Sequence, residues 1–275
     1  MTTAALTLMA VHAHPDDEAS MTGGILADAH ARGITTVLVT CTDGALGDSP
    51  DGRNPEHDDH DPEAVVAHRH EELANAAAIL GITHLHELRY RDSGMMGWPQ
   101  NDAQGAFWNT PVAEAAARLA ALIEQYQPDV IVTYDENGFY GHPDHIQANR
   151  ITLAAIAETG STVKKLFYTA IPKSWMAQFQ AEIAAADAEG PGEDETPSVD
   201  LGTDDAAIGA IIDTSAYAAA KRNALAAHGS QTANSFFLTM PEERFASIFG
   251  REAFVRVLDL TGGTGVDDDL FARLG

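Results

Sequence analysis

Cations and cysteine are what this chain has least of. Lysine and arginine number 16 against 41 acidic residues, a formal net charge of −25. A surface with so few cations repels phosphate backbones and anionic headgroups, so neither nucleic acid nor a membrane is expected as a partner. Most of the acidic excess reads as solubilising surface, and its field favours divalent cations and amines. One cysteine, Cys41, excludes an internal disulfide and leaves no zinc-finger spacing, so a cytoplasmic setting is the expectation. No apolar run approaches the roughly 20 residues of a membrane span, and the first residues lack the basic flank of an export signal. Gly23-Gly24 does not complete a dinucleotide fingerprint, so no nucleotide cofactor is expected.

What is present is an ordinary apolar fraction, 45%, spread in a regular rhythm. Strand-like runs at Leu6–Val11, Thr36–Cys41, His86–Tyr90, Val130–Tyr134 and Lys165–Ala170 alternate with helical stretches at Met21–Ala31, Pro62–Leu80, Pro111–Tyr126 and His145–Glu158. That alternation predicts an α/β fold, a Rossmann-like three-layer parallel sheet with helices on both faces. Right-handed crossovers then bring all strand ends to one edge, where the long loops Thr42–Asp61 and Arg91–Thr110 would wall a pocket. The expected organisation is an α/β catalytic domain over 1–186, an acidic Gly- and Pro-rich linker over 187–205, and a smaller C-terminal α/β extension over 206–275 that completes the site. In the extension, Ile208–Ile212 and Phe254–Leu258 read as strands, Ser215–His228 and Glu242–Phe249 as helices.

Two short phrases carry the chemistry. His14-Pro15-Asp16-Asp17-Glu18 leaves the first strand and His142-Pro143-Asp144-His145 follows the fourth. Polar clusters leaving strand ends converge on one crevice in open sheets of this kind. Their imidazoles and carboxylates make up the inventory of a catalytic metal site: three ligands, an open position for water, a base and an oxyanion donor. His14 and Asp17 are close enough in sequence to reach one ion. Asp16 between them is free to act as base, and Glu18 is left for orientation or helix N-terminal charge. Either His142 or His145 serves as third ligand on spacing alone, and the other becomes an acid or oxyanion donor tuned by Asp144. His57, His60, His68 and His70 belong to a polar loop running into a helix and receive no role. Cys41 reads as a buried hydrophobe, and Trp98, Phe107 and Trp108 either stack on a sugar or anchor their loop.

Ala-His-Pro-Asp-Asp-Glu, Tyr-Arg-Asp-Ser-Gly at 90–94 and Thr-Tyr-Asp-Glu-Asn-Gly-Phe-Tyr-Gly-His-Pro-Asp-His at 133–145 resemble the PIG-L/LmbE zinc-dependent N-deacetylases. The likeness is strongest to the mycothiol branch, which includes N-acetylglucosaminyl-inositol deacetylases and mycothiol S-conjugate amidases. It is strong over Leu6 to Glu158 and thins to His228-Gly-Ser-Gln231 in the tail. The resemblance implies one Zn2+ per chain, with Fe2+ as the alternative, held by His14, Asp17 and His145. It implies Asp16 as general base, His142 as electrophilic or acid catalyst, Tyr140 as a helper at the amide carbonyl, and Arg69 and Asp92 as holders of sugar hydroxyls. Met21 stands where the mycothiol enzymes carry polar side chains, so it is expected to face the groove and alter the aglycone or acyl preference. The implied activity is metal-dependent removal of the acetyl group from an N-acetylglucosamine-type sugar. A thiol-conjugate amidase and an inactive metal- or sugar-binding protein are the alternatives. Retention of both Asp16 and His142 argues against the last. Oligomeric state is left open.

Overall fold

The computed structural model describes residues 5–160, 163–185, 202–232 and 235–274. In chain order the elements are β1 (Thr7–His12), α1 (Asp17–Met21), α2 (Gly23–Ala31), β2 (Thr35–Thr42), α3 (Pro62–Leu80), β3 (His84–Tyr90), α4 (Val112–Tyr126) and β4 (Val130–Thr133). There follow α5 (Gly138–Gly141), α6 (Pro143–Glu158), β5 (Lys165–Pro172), α7 (Lys173–Ala185), β6 (Gly202–Thr203), β7 (Ile208–Asp213) and α8 (Ala218–Ala227). The chain closes with α9 (Gly229–Thr232), α10 (Phe236–Thr239), α11 (Glu242–Phe249) and β8 (Arg251–Asp259). The main sheet runs β3-β2-β1-β4-β5-β8-β7, with β6 beside the end of β5.

Strands β3, β2, β1, β4 and β5 are mutually parallel, as the βα rhythm requires. Alternation along β1 sorts the core: Met9 and Val11 face a cluster with Leu119, Ile131 and Ile151, whereas Leu8 and Ala10 face Leu26, Leu73 and Val132 on the other side. Covered on both faces, β1 and β4 are wholly buried, and this is why they read as continuous apolar runs. Local signals set the helix ends. Asp61 caps α3 by accepting from the Glu63 and Ala64 amides, Pro62 starts it, and Gly81 ends it at a left-handed φ of 71°.

Four features depart from the sequence reading. The helix expected over Met21–Ala31 starts at Gly23 as α2, and an additional short helix, α1, precedes it across Thr22; Gly24 packs against Thr214, and the carboxylate of Glu252 caps the Gly24 and Ile25 amides at 2.8 and 2.9 Å. Helix α6 begins at Pro143 rather than His145, since proline is pre-set for a first helical position. Strands β8 and β7 join the main sheet, β8 antiparallel to β5 and β7 antiparallel to β8, so the C-terminal strands extend the parallel sheet into a mixed one. Most of the expected linker over 187–205 lies outside the described residues. Its end, Gly202–Thr203, pairs with Ile171 and Pro172 as a strand.

Candidate active site

The chain steps from β1 through β2 to β3 in one direction and then crosses to β4 and β5 in the other. The reversal falls between β1 and β4, so the crevice beyond their carboxyl ends is where a ligand site is expected. Both His-Pro-Asp phrases lead there. His14 Nδ1, Asp17 Oδ2 and His145 Nε2 form a triangle with sides of 3.3, 3.4 and 3.5 Å. A tetrahedral ion with bonds of about 2.0–2.1 Å holds its ligand atoms about 3.3–3.4 Å apart, so these residues fit such an ion. His142 also lies within ligand distance of His14 and His145.

The surroundings hold each of these groups in place. Asp17 Oδ2 accepts from the His14 amide at 2.8 Å and from the Tyr134 hydroxyl at 2.7 Å, and that hydroxyl in turn accepts from the Ala13 amide at 2.8 Å. The Tyr134 ring stacks on His145, with centroids 4.1 Å apart. His14 Nε2 faces away from the triangle, 3.3 Å from Asp144 Oδ2 and 3.7 Å from Asp92 Oδ1. A histidine that directs its second nitrogen to a carboxylate is oriented and made more basic as a ligand. Burial opposes a positive charge on His14, yet Asp92, Asp144 and Asp17 outweigh it and hold its pKa well above the usual histidine value. Burial likewise opposes ionisation of Asp17, and His145 and His14 outweigh it, so the carboxylate stays charged. The surrounding carboxylates thus favour positive charge at this place.

Asp16 sits beside the triangle with its side chain partly open to the cavity. Burial, tempered by the Arg69 guanidinium and raised again by Asp17, pushes its pKa up to about 6, which suits a base working near neutrality. Arg69 Nη2 donates to Asp16 Oδ2 at 3.0 Å and to the Pro15 carbonyl, and Nη1 donates to Gly44 O at 2.8 Å. His142 is buried at the start of α6, where its Nδ1 accepts from the Asp144 amide at 3.2 Å. Burial and the neighbouring His14 and His145 depress its pKa far below the usual value, so it is neutral with its proton on Nε2. Tyr140 has its ring 5.0 Å from that of His145, on the short α5 turn whose Phe139 adopts a left-handed φ of 65°.

A cavity of about 190 Å3 covers the triangle, lined by Asp16, Arg69, Asp92, Trp98, Tyr140 and Gln231 among others. Tyr140 also borders a neighbouring cavity of about 560 Å3 that includes Met96, Asp135 and Arg150.

Several expectations shift on this geometry. Asp144 does not tune His142 with its carboxylate; the first turn of α6 directs that group to His14 and the Ser93 amide. Met21, at the end of α1, is half-buried against the core and is not among the residues lining either cavity. Trp98 lines the pocket, whereas Phe107 stacks on Tyr90 in the core and Trp108 carries Arg150 on its face. His60, His68 and His70 each meet a separate partner, Gly47 O, Glu72 and Glu87. Tyr134, His228 and Gln231 are neighbours of the site that were not assigned roles from sequence. Tyr134 reads as a strand end, and the other two become neighbours only through tertiary packing.

Fold and site together define a class: an α/β protein with a buried cluster of His and Asp side chains at the switch point that could hold a metal ion, an arrangement that suits a metal-dependent hydrolase. A family model described as PIG-L, GlcNAc-PI de-N-acetylase, matches residues 9–156. The chain is 41% identical to a 1D-myo-inositol 2-acetamido-2-deoxy-alpha-D-glucopyranoside deacetylase of Acidothermus cellulolyticus, covering 97% of this chain and 94% of that one. It is 39% identical to deacetylase 1 of the same description from Catenulispora acidiphila, over 99% and 91% of the two chains. This protein belongs to the PIG-L family. Among solved structures, the N,N'-diacetylchitobiose deacetylase of Pyrococcus horikoshii superposes with a TM-score of 0.60 at 18% identity, covering 93% of this chain and 85% of that one, a likeness of fold.

Proposed function

We propose that this protein is a zinc-dependent deacetylase that removes the acetyl group from an N-acetylglucosamine unit carried on a hydroxylated aglycone of the inositol type. The observation that carries the reading is the His14, Asp17 and His145 triangle with Asp16 at its side and a neutral His142 across from it. Two imidazoles and a carboxylate suit zinc, with ferrous iron as the alternative. Bound there, the ion would supply Lewis acidity to the amide carbonyl and to the attacking water. Asp16 takes the proton of that water as its oxygen attacks the acetyl carbon. His142, whose Nδ1 is already occupied as an acceptor, has only Nε2–H to offer, and stabilises the oxyanion with a hydrogen bond from it while keeping its proton. The C–N bond then breaks, the proton held by Asp16 passes to the leaving nitrogen, and acetate and a free amino sugar result. Arg69 holds Asp16 and, with Asp92 at the pocket wall, faces the sugar hydroxyls. Tyr140 closes the cavity over the acyl group.

The test strips the purified protein with a chelator and reloads it with Zn2+ or Fe2+. Release of free amine is then followed from N-acetylglucosaminyl-inositol, a mycothiol conjugate, N-acetylglucosamine and chitobiose. The inositol glycoside is expected to be turned over fastest, and only by metal-loaded protein. Preference for the conjugate would make the protein an amidase, and no turnover of any substrate would refute the assignment.

A further inference from the structure

We propose that Glu18 and His228 are positioning residues, a buried clamp closed by the C-terminal segment that holds the main chain of Asp16 in the conformation its catalytic role needs. The inference rests on the reading of Asp16 as the base. Asp16 has φ 120° and ψ −28°, dihedrals that a residue with a side chain occupies only when its surroundings impose them. Strain of this kind demands a source of restraint. Its amide, turned by that conformation, donates to Glu18 Oε2 at 3.0 Å. The other oxygen of the same carboxylate accepts from His228 Nε2 at 2.6 Å, and both side chains are fully buried. On the opposite side, Arg69 grips the Pro15 carbonyl and the Asp16 carboxylate. The strained residue is thus held at its amide, at the preceding carbonyl and at its side chain.

The arrangement answers a problem set by the sequence. Asp16 and Asp17 are adjacent carboxylates with different tasks, one directed at the ligand triangle and the other at the cavity. An unusual dihedral between them sends the side chains to separate places. Glu18 follows in the first turn of α1, where burying a carboxylate without partners would be costly. His228 supplies the partner from a position 210 residues further on, at the end of α8. That segment is pinned twice more, through Ser230 on Glu72 of α3 and Gln231 on the Asp48 main chain in the loop after β2. His228 therefore acts on the base through Glu18, and neither of the two lines the cavity.

A double-mutant cycle separates this role from a general loss of structure. Glu18→Ala should lower kcat roughly 10–100-fold with little change in KM and a full metal complement by elemental analysis. Glu18→Gln should recover most of the loss, because its amide oxygen still accepts from Asp16 and its NH2 donates to a neutral His228 ring. In an Asp16→Asn background, Glu18→Ala should cost almost nothing further, since the group it positions is gone. His228→Ala should repeat the pattern, and it serves in the cycle if Glu18→Ala does not fold. A crystal structure of either variant should show Asp16 relaxed to negative φ. The same fold-loss in both backgrounds, or loss of metal with activity, would overturn the clamp while leaving Asp16 as base intact. Near-normal turnover by Asp16→Asn alone would remove the base assignment and the clamp with it.

Discussion

Removing a single oxygen, in Tyr134→Phe, tests how far the ligand set depends on its supports. The hydroxyl makes three buried contacts, of which the two shortest carry most of the energy: it donates to Asp17 at 2.7 Å and accepts from the Ala13 amide at 2.8 Å, with His12 Nδ1 further off at 3.3 Å. The ring remains, so its stacking on His145 is preserved. Two losses then combine. Asp17 gives up one of two short donors to a charged oxygen, a bond of about 1.5–3 kcal/mol, and the Ala13 amide is left unpaired in the core at about 1–3 kcal/mol. Stability should fall by roughly 2–5 kcal/mol, because the two terms share one atom and are not strictly additive. At about 2–4 °C per kcal/mol for a chain of this size, Tm should drop by roughly 4–20 °C. Metal affinity should fall about 10–100-fold, as it does when a partner orienting a ligand is removed. Competition against a fluorescent chelator gives the affinity, and calorimetry of the metal-free protein gives the stability. Unchanged metal affinity in the folded variant would show that the His14 amide alone suffices to orient Asp17, and would refute the reasoning.

Other expectations concern the same site and the edges of the fold. Asp144→Asn should weaken metal binding about tenfold or more while leaving His142 in place, because its carboxylate serves His14; an effect on turnover with metal affinity untouched would return Asp144 to His142. His145→Ala should abolish stoichiometric metal, whereas His142→Ala should keep the metal and lower kcat, a contrast read directly by elemental analysis. Met21→Ser should cost stability by roughly 1–2 kcal/mol and leave relative kcat/KM among substrates unchanged, since the side chain packs on the core; a shift in substrate ratio would place it back in the groove. Hydrogen bonds from Arg273, with the nearby Arg256 and Lys165 and against burial, hold the Asp267 pKa below its usual value. A depressed carboxylate stabilises the fold above its unfolded pKa, about 3.9, and loses that contribution as the pH falls through the folded value. Urea midpoints between pH 5 and pH 2 should therefore fall less steeply in Asp267→Asn, and an unchanged slope would count against the pairing.

Much of this architecture was legible because its signals are local. Apolar runs of strand length separated by helical periods demand a parallel sheet, since strands buried on both faces have no polar alternation. Asp61-Pro62 and Gly81 mark the ends of α3 by capping and by left-handed backbone, both properties of a few adjacent residues. The two His-Pro-Asp phrases stand out for the same reason: clustered ligands at strand ends have no packing use. The start of α2 at Gly23 was hidden because Glu252, which caps α2, comes from the last strand.

The sequence by itself determined the fold class, the strand ends that carry the chemistry and the donor types available to a metal. Tertiary structure alone decided how those donors divide their work. Which nitrogen of His14 faces the triangle depends on Asp144 and Asp92 closing on the other one, and these arrive from α6 and from the loop after β3. That Asp144 serves His14 rather than its sequence neighbour His142 follows from the direction of a helical first turn. That Tyr134 supports Asp17, and that His228 reaches Glu18, are contacts between residues 117 and 210 positions apart. Hydrogen bonds and ion pairs act over a few ångströms, and no local pattern in a chain records which distant groups folding will bring within that range.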